Sequence, residues 1–149
     1  MSIAPLRIVV ADDEVDMRDF LSKVLPRLGY QVVAVAADGN QLLAECRRTM
    51  PDLIITDLKM PNRDGLSAVE ELWRDRSIPV VFISAFPQEL AESPLAKSPL
   101  TTLLVKPVKK ADLKPAIELI LRRGPSPMPP GGFAGPESGR STRPLPPGE

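Results

Sequence analysis

Along residues 1–123 the apolar residues fall into short, nearly continuous runs: Ile8–Ala11, Val32–Ala37, Leu53–Ile55, Val80–Ile83 and Leu103–Val105. The runs are rich in valine and isoleucine and do not alternate with polar residues, which is the pattern of strands covered on both faces. Between them, apolar positions recur with helical spacing over 16–28, 40–49, 66–75, 88–97 and 110–122. Five strands alternating with five helices predict an α/β fold, a doubly wound parallel sheet with helices on both faces.

Proline and glycine mark several boundaries. Gly29 should stop the first helix after Pro26 has weakened its last turn. Asp38-Gly39 predicts a turn before the second helix. Pro115 lies near enough to the start of the fifth helix for its missing N–H to matter little, and Pro87 suits the start of the fourth. Pro94 and Pro99 should shorten or break that fourth helix.

From Gly124 to Glu149 the composition changes, with 14 of 26 residues proline or glycine. So little apolar surface cannot offset the entropy of ordering the segment, so it reads as a disordered tail with polyproline II character after a domain at 1–123. Arg143-Pro-Leu-Pro-Pro resembles the core of an SH3-domain ligand, a match that this composition produces readily by chance.

Charge narrows the function classes. The 19 basic and 19 acidic residues cancel, which argues against general binding to nucleic acid or a membrane surface. No apolar run approaches the roughly 18 residues of a membrane span. The start lacks a charged-then-apolar leader, so the expected location is the cytoplasm. The lone cysteine, Cys46, reads as a partly buried small hydrophobe. There is no histidine, which excludes histidine-assisted nucleophilic catalysis and histidine-ligated zinc, and leaves oxygen-ligated cations such as Mg²⁺, Ca²⁺ or Mn²⁺.

The chemistry gathers where the apolar runs stop. In parallel α/β sheets ligands bind beyond the carboxyl ends of the strands. The first run ends in Asp12-Asp13-Glu14, the third leads to Asp57, the fourth to Ser84 and the fifth to Lys106-Pro107. Each residue alone has a plain structural reading: helix capping for the acidic run, a turn for Asp57, a strand end for Ser84, a solvated surface for Lys106. Together they place four independent coincidences on one sheet edge. Three carboxylates there need a cation, Lys106 and Ser84 can meet phosphate oxygens, and a carboxylate nucleophile yields an aspartyl phosphate.

These residues resemble the receiver domain of two-component response regulators, over about residues 5–123. Asp12-Asp13, the loop from Asp57 through Met60, Pro61 and Gly65, Ser84-Ala85 and Lys106-Pro107 carry the likeness in order and spacing. The resemblance implies the flavodoxin-like order of a five-stranded receiver sheet and a signalling phosphoacceptor rather than an enzyme. By the same resemblance Asp57 is phosphorylated, and Mg²⁺ is held by Asp13, by Asp12 largely through water, by Asp57 and by the backbone carbonyl of Lys59. Ser84 and Lys106 contact the phosphoryl group, and the Lys106–Pro107 bond is cis. The implied phosphate donor is a sensor histidine kinase or a histidine phosphotransfer protein; the downstream target is a protein that the sequence does not name.

Three features depart from that family. Leu103 stands where an aromatic switch residue is usual, Ser98-Pro99 replaces a Gly-Ala pair, and the fourth helix is rich in proline. Lys59 and Phe86, two residues beyond Asp57 and Ser84, are expected to crowd the water that would hydrolyse the phosphate. The leading expectation is a stand-alone receiver with no effector domain, acting by partner docking or phosphorelay. The alternatives are a phosphorylation-independent protein-binding scaffold and, further off, an aspartyl-phosphate phosphohydrolase, whose second aspartate would stand where this chain has Lys59.

Overall fold

The computed structural model describes residues 4–123, so the expected tail at 124–149 and its proline-rich motif lie outside the described residues. The elements are β1 (Arg7–Ala11), α1 (Val15–Arg27), β2 (Gln31–Ala36), α2 (Gly39–Thr49), β3 (Leu53–Asp57), α3 (Gly65–Leu72), β4 (Val80–Ser84), α4 (Gln88–Ala91), a 3₁₀ turn (Pro94–Lys97), β5 (Thr101–Val105) and α5 (Lys110–Arg123). The strands form one parallel sheet in the order β2-β1-β3-β4-β5. The order reverses at β1 and β3, so the crevice expected at such a reversal opens between the carboxyl ends of these two strands.

Alternate residues of the central strands supply two cores. On one face Val9, Ile54, Val80 and Phe82 pack with Leu42, Cys46, Val69 and Leu72 of α2 and α3. On the other, Ile8, Val10, Ile55 and Ile83 pack with Leu21 and Leu25 of α1 and Leu113 and Ile117 of α5. β3 and β4 are buried throughout, while β2 and β5, at the sheet edges, are only partly covered. That explains why the central runs read so clearly in sequence. Cys46 is fully buried rather than partly so, and burial, with a smaller contribution from the Glu45 charge, pushes its thiol up to about 12.

The helix ends follow local chemistry. α1 closes in a Schellman motif: Tyr30 N–H donates to the Leu25 carbonyl and Gly29 N–H to the Pro26 carbonyl, both at 3.1 Å, with Gly29 at φ +98°. Asp38 caps α2 by accepting from Gln41 N–H at 2.8 Å, and Asp64 caps α3 by accepting from Ser67 N–H at 2.7 Å.

Three expectations need correction. The fourth helix was expected over 88–97, but α4 keeps only four residues. Pro94 has no N–H for the Leu90 carbonyl, and Ser93 Oγ instead accepts from Leu95 N–H to start the 3₁₀ turn. α3 stops at Leu72 rather than at 75, where the Trp73 indole donates to the Ile78 carbonyl at 2.9 Å and ties the chain to the start of β4. Pro115 lies inside α5, past its first turn. It and Ala111 are both exposed, so the carbonyl that loses its helical partner faces water.

Candidate functional site

β1 delivers Asp12 and Asp13 directly after its last residue, Asp57 is the last residue of β3, and Ser84 the last of β4. Lys106 follows β5, and its backbone N–H donates to the Ser84 carbonyl at 3.0 Å, so the final strand pairing also sets the base of the lysine. The cleft lined by Asp13, Asp57, Ser84 and Lys106 has a volume of about 220 Å³, with Lys59 and Phe86 also on its wall. The Lys106–Pro107 peptide is cis.

Asp12, Asp57 and Ser84 are buried, whereas Asp13 is exposed at the mouth. Lys106 Nζ bridges the acidic groups: it lies 3.0 Å from Asp57 Oδ2 and 3.3 Å from both Asp12 Oδ2 and Glu14 Oε1. The second Asp57 oxygen, Oδ1, accepts from Lys59 N–H at 3.3 Å. Asp12 Oδ1 accepts from Glu14 N–H at 2.9 Å, while Asp12 Oδ2 is buried and accepts no hydrogen bond despite the nearby ammonium. Ser84 Oγ accepts from Phe86 N–H at 2.9 Å.

The electrostatics follow from this crowding. Burial raises the Asp57 carboxyl above the usual aspartate range, against the pull of Lys106. Burial likewise raises Asp12, with its hydrogen bond from Glu14 opposing and the Asp57 charge adding to the rise. For Lys106 burial disfavours the charge, but the hydrogen bond to Asp57 and the charges of Asp12 and Asp57 prevail and hold it above the usual lysine value. One cation thus balances several carboxylates, and the site retains excess negative charge.

That excess suits a hard cation. Asp12, Asp13 and Asp57 each offer an oxygen within 4.8 Å of the others, and the buried Asp12 Oδ2 faces the shared Lys106 ammonium at 3.3 Å without accepting a hydrogen bond. The all-oxygen donor set fits Mg²⁺. Sequence reading did not assign a role to Glu14 beyond its acidity, nor to Arg18, whose guanidinium donates to the Asp12 carbonyl at 2.8 Å. Arg18 lies four residues beyond Glu14 in α1, so helical spacing from the acidic run was the available pointer.

The model of the response regulator receiver domain matches residues 8–118. The chain belongs to the response regulator receiver family. A transcriptional regulatory protein, PdtaR of Mycobacterium tuberculosis strain H37Rv, is 38% identical over 119 residues, which cover 80% of this chain and 58% of that protein. The chain therefore spans a little over half the length of that relative. Among solved structures, CheY4 of Vibrio cholerae has a TM-score of 0.70 and 27% identity, with 79% of this chain and all of that one covered. The receiver domain of Erythrobacter litoralis PhyR has a TM-score of 0.73 at 24% identity over 85% and 97% of the two chains, a likeness of fold. The receiver fold thus accounts for the sheet order and for the acidic crevice at its reversal. Among the described residues, no helix of this receiver domain is long and apolar enough to cross a membrane.

Proposed function

We propose that this receiver domain accepts a phosphoryl group on Asp57 in a Mg²⁺-dependent reaction and signals through the phosphorylated state. The observation that carries the reading is the Lys106 ammonium 3.0 Å from Asp57 Oδ2 beside a buried Asp12 oxygen that accepts no hydrogen bond. A lysine fixed there would hold a phosphoryl oxygen, and the buried Asp12 carboxylate, which shares that one ammonium with Asp57 and Glu14, would hold a cation.

In the transfer, an Asp57 oxygen attacks phosphorus, the new O–P bond forms, and the bond from phosphorus to the donor imidazole nitrogen breaks. The bonding pair leaves with that nitrogen, and a ring protonated at its other nitrogen departs neutral. Lys106 neutralises charge on the transferred group, and the Ser84 hydroxyl, whose Oγ accepts from Phe86 N–H, still has its own hydrogen to donate to another phosphoryl oxygen. Mg²⁺ bound by Asp12, Asp13, Asp57 and the Lys59 carbonyl would supply further neutralisation. The donor in this reading is a sensor histidine kinase or a histidine phosphotransfer protein, and the output is docking to a partner or onward transfer.

Intact mass after incubation with acetyl phosphate and Mg²⁺ tests the reading, with Asp57→Asn alongside. One added phosphate that needs Mg²⁺ and is missing from the variant is the expected result. The reading falls if neither acetyl phosphate nor a phosphorylated histidine phosphotransfer protein modifies the wild type, or if Asp57→Asn is modified equally.

A further inference from the structure

The segment between β3 and α3 carries Lys59 past the cleft, and its outer side leans on the start of α2. Gly39 N–H donates to the Arg63 carbonyl at 2.7 Å, and Asn62 Nδ2 donates to Asp38 Oδ2 at 2.8 Å. A β-carbon at Gly39 would overlap the Arg63 carbonyl oxygen, so the first residue of α2 must be glycine for the loop to sit this close.

Asp38 is a firm anchor. It is buried, its Oδ1 already caps α2 through Gln41 N–H, and Gln41 Oε1 in turn accepts from Ala37 N–H at 2.8 Å. Capping occupies one carboxylate oxygen, which a serine hydroxyl could equally supply. The second oxygen is used on the loop. On the other side of that bond, Asn62 adopts φ +68°, a left-handed turn that asparagine tolerates better than most residues. Two residues earlier Met60 is buried in the core, and three residues earlier Lys59 N–H reaches Asp57 Oδ1.

We infer that the Asp38–Asn62 hydrogen bond positions the β3–α3 loop for cation binding, making both of them positioning residues for the acidic site. The inference rests on the Mg²⁺ reading above. A loop already held in place loses less conformational freedom when a ligand engages its backbone, so releasing it weakens binding without removing a ligand.

Two variants separate this role from plain structural support. Asn62→Gly permits the left-handed backbone and deletes the amide; Asp38→Ser keeps an oxygen for Gln41 N–H and deletes the one facing Asn62. Mg²⁺ affinity would be measured by calorimetry for the wild type, both variants, the double variant and Asp13→Asn, together with amide hydrogen exchange over 58–64. Each single variant should bind Mg²⁺ about three- to tenfold more weakly, the range that one net hydrogen bond supports. The double variant should bind no more weakly than the weaker single one, because both changes break the same bond. Exchange over 58–64 should quicken in all three. Wild-type affinity in both single variants, with only the melting temperature lowered, would overturn the inference while Asp13→Asn still loses binding. A wild type that binds no Mg²⁺, or an Asp13→Asn variant that binds it equally well, would overturn the site reading and the inference with it.

Discussion

The α-carbon of Gly65 is pressed against the backbone carbonyl of Asp57, and a β-carbon there would overlap that oxygen and come within 2.7 Å of Thr56 Oγ1. Neither neighbour can yield. Asp57 is held in β3 between β1 and β4, and Thr56 Oγ1 donates to the Asp57 carbonyl at 2.9 Å. Gly65 N–H also donates to the Leu58 carbonyl at 2.9 Å, which closes the loop that follows Asp57. Gly65→Ala should therefore destabilise the domain by about 1–3 kcal/mol, the usual penalty for overpacking. Urea unfolding followed by Trp73 fluorescence measures it. An unchanged midpoint would mean that α3 can slide outward and that the contact imposes no constraint.

That contact shows what the sequence could and could not disclose. Gly65 matched the spacing of a phosphoacceptor loop, but the carbonyl that excludes a side chain becomes visible only when α3 is folded back on β3. Asp12, Asp57, Ser84 and Lys106 were legible because each stands within two residues of the end of an apolar run, and the parallel sheet brings all such ends to one edge. The Asp38–Asn62 bond joins residues 24 positions apart in two polar turns, and the Glu14–Lys106 pair spans 92, so neither leaves a local pattern. β5 starts at Thr101, two residues before the apolar run at Leu103–Val105, because Thr101 and Thr102 pair with Val80 and Val81. The fourth helix was misjudged in extent because its apolar spacing continued through Pro94, where the backbone could not.

Replacement of Lys106 by methionine keeps most of the unbranched side chain and removes the charge. Because Nζ stands between Asp57 Oδ2 and Asp12 Oδ2, in the proposed reaction it would both meet the phosphoryl group and compete with Mg²⁺ for the same oxygens. Lys106→Met should slow phosphorylation by acetyl phosphate by about 10²-fold, as loss of one positioned donor does in oxyanion sites. Mg²⁺ should meanwhile bind more tightly. Calorimetry and intact mass together check the pair of effects. Weaker Mg²⁺ binding would show that the lysine supports the acidic cluster more than it competes for it.

Asp38 links stability to pH with a definite sign. Hydrogen bonds from Gln41 N–H and then Asn62 Nδ2 hold its carboxyl below the usual aspartate value, against the opposing effect of burial. A carboxyl depressed in the folded state contributes stability that is complete above the unfolded value, near about 3.9. That contribution is lost as pH falls through the lower folded value. At pH 7 Asp38→Ala should cost about 1 kcal/mol through the lost cap of α2. The gap between variant and wild type should hold steady down to the ordinary aspartate range and narrow below it. Urea unfolding at a series of pH values gives the curve; a gap that widens in acid would contradict the assignment.

Phe86 bears on how long a phosphorylated Asp57 would last. Its side chain is exposed, with 57% of the residue open to solvent, yet it lines the cleft wall beside Lys59. Its backbone N–H meets Ser84 Oγ, which fixes where the ring leaves the chain. A ring at that place stabilises little, because it is not in the core, but in the proposed reaction it would stand in the way of a hydrolytic water entering the cleft. Phe86→Ala should leave stability within about 0.5 kcal/mol of the wild type, as for a surface substitution. It should shorten the lifetime of the aspartyl phosphate by about tenfold, equivalent to about 1.4 kcal/mol in the barrier. Phosphate release after removal of the donor gives the lifetime. If the variant loses phosphate no faster than the wild type, the ring does not shield the site, and Lys59 becomes the wall residue to replace next.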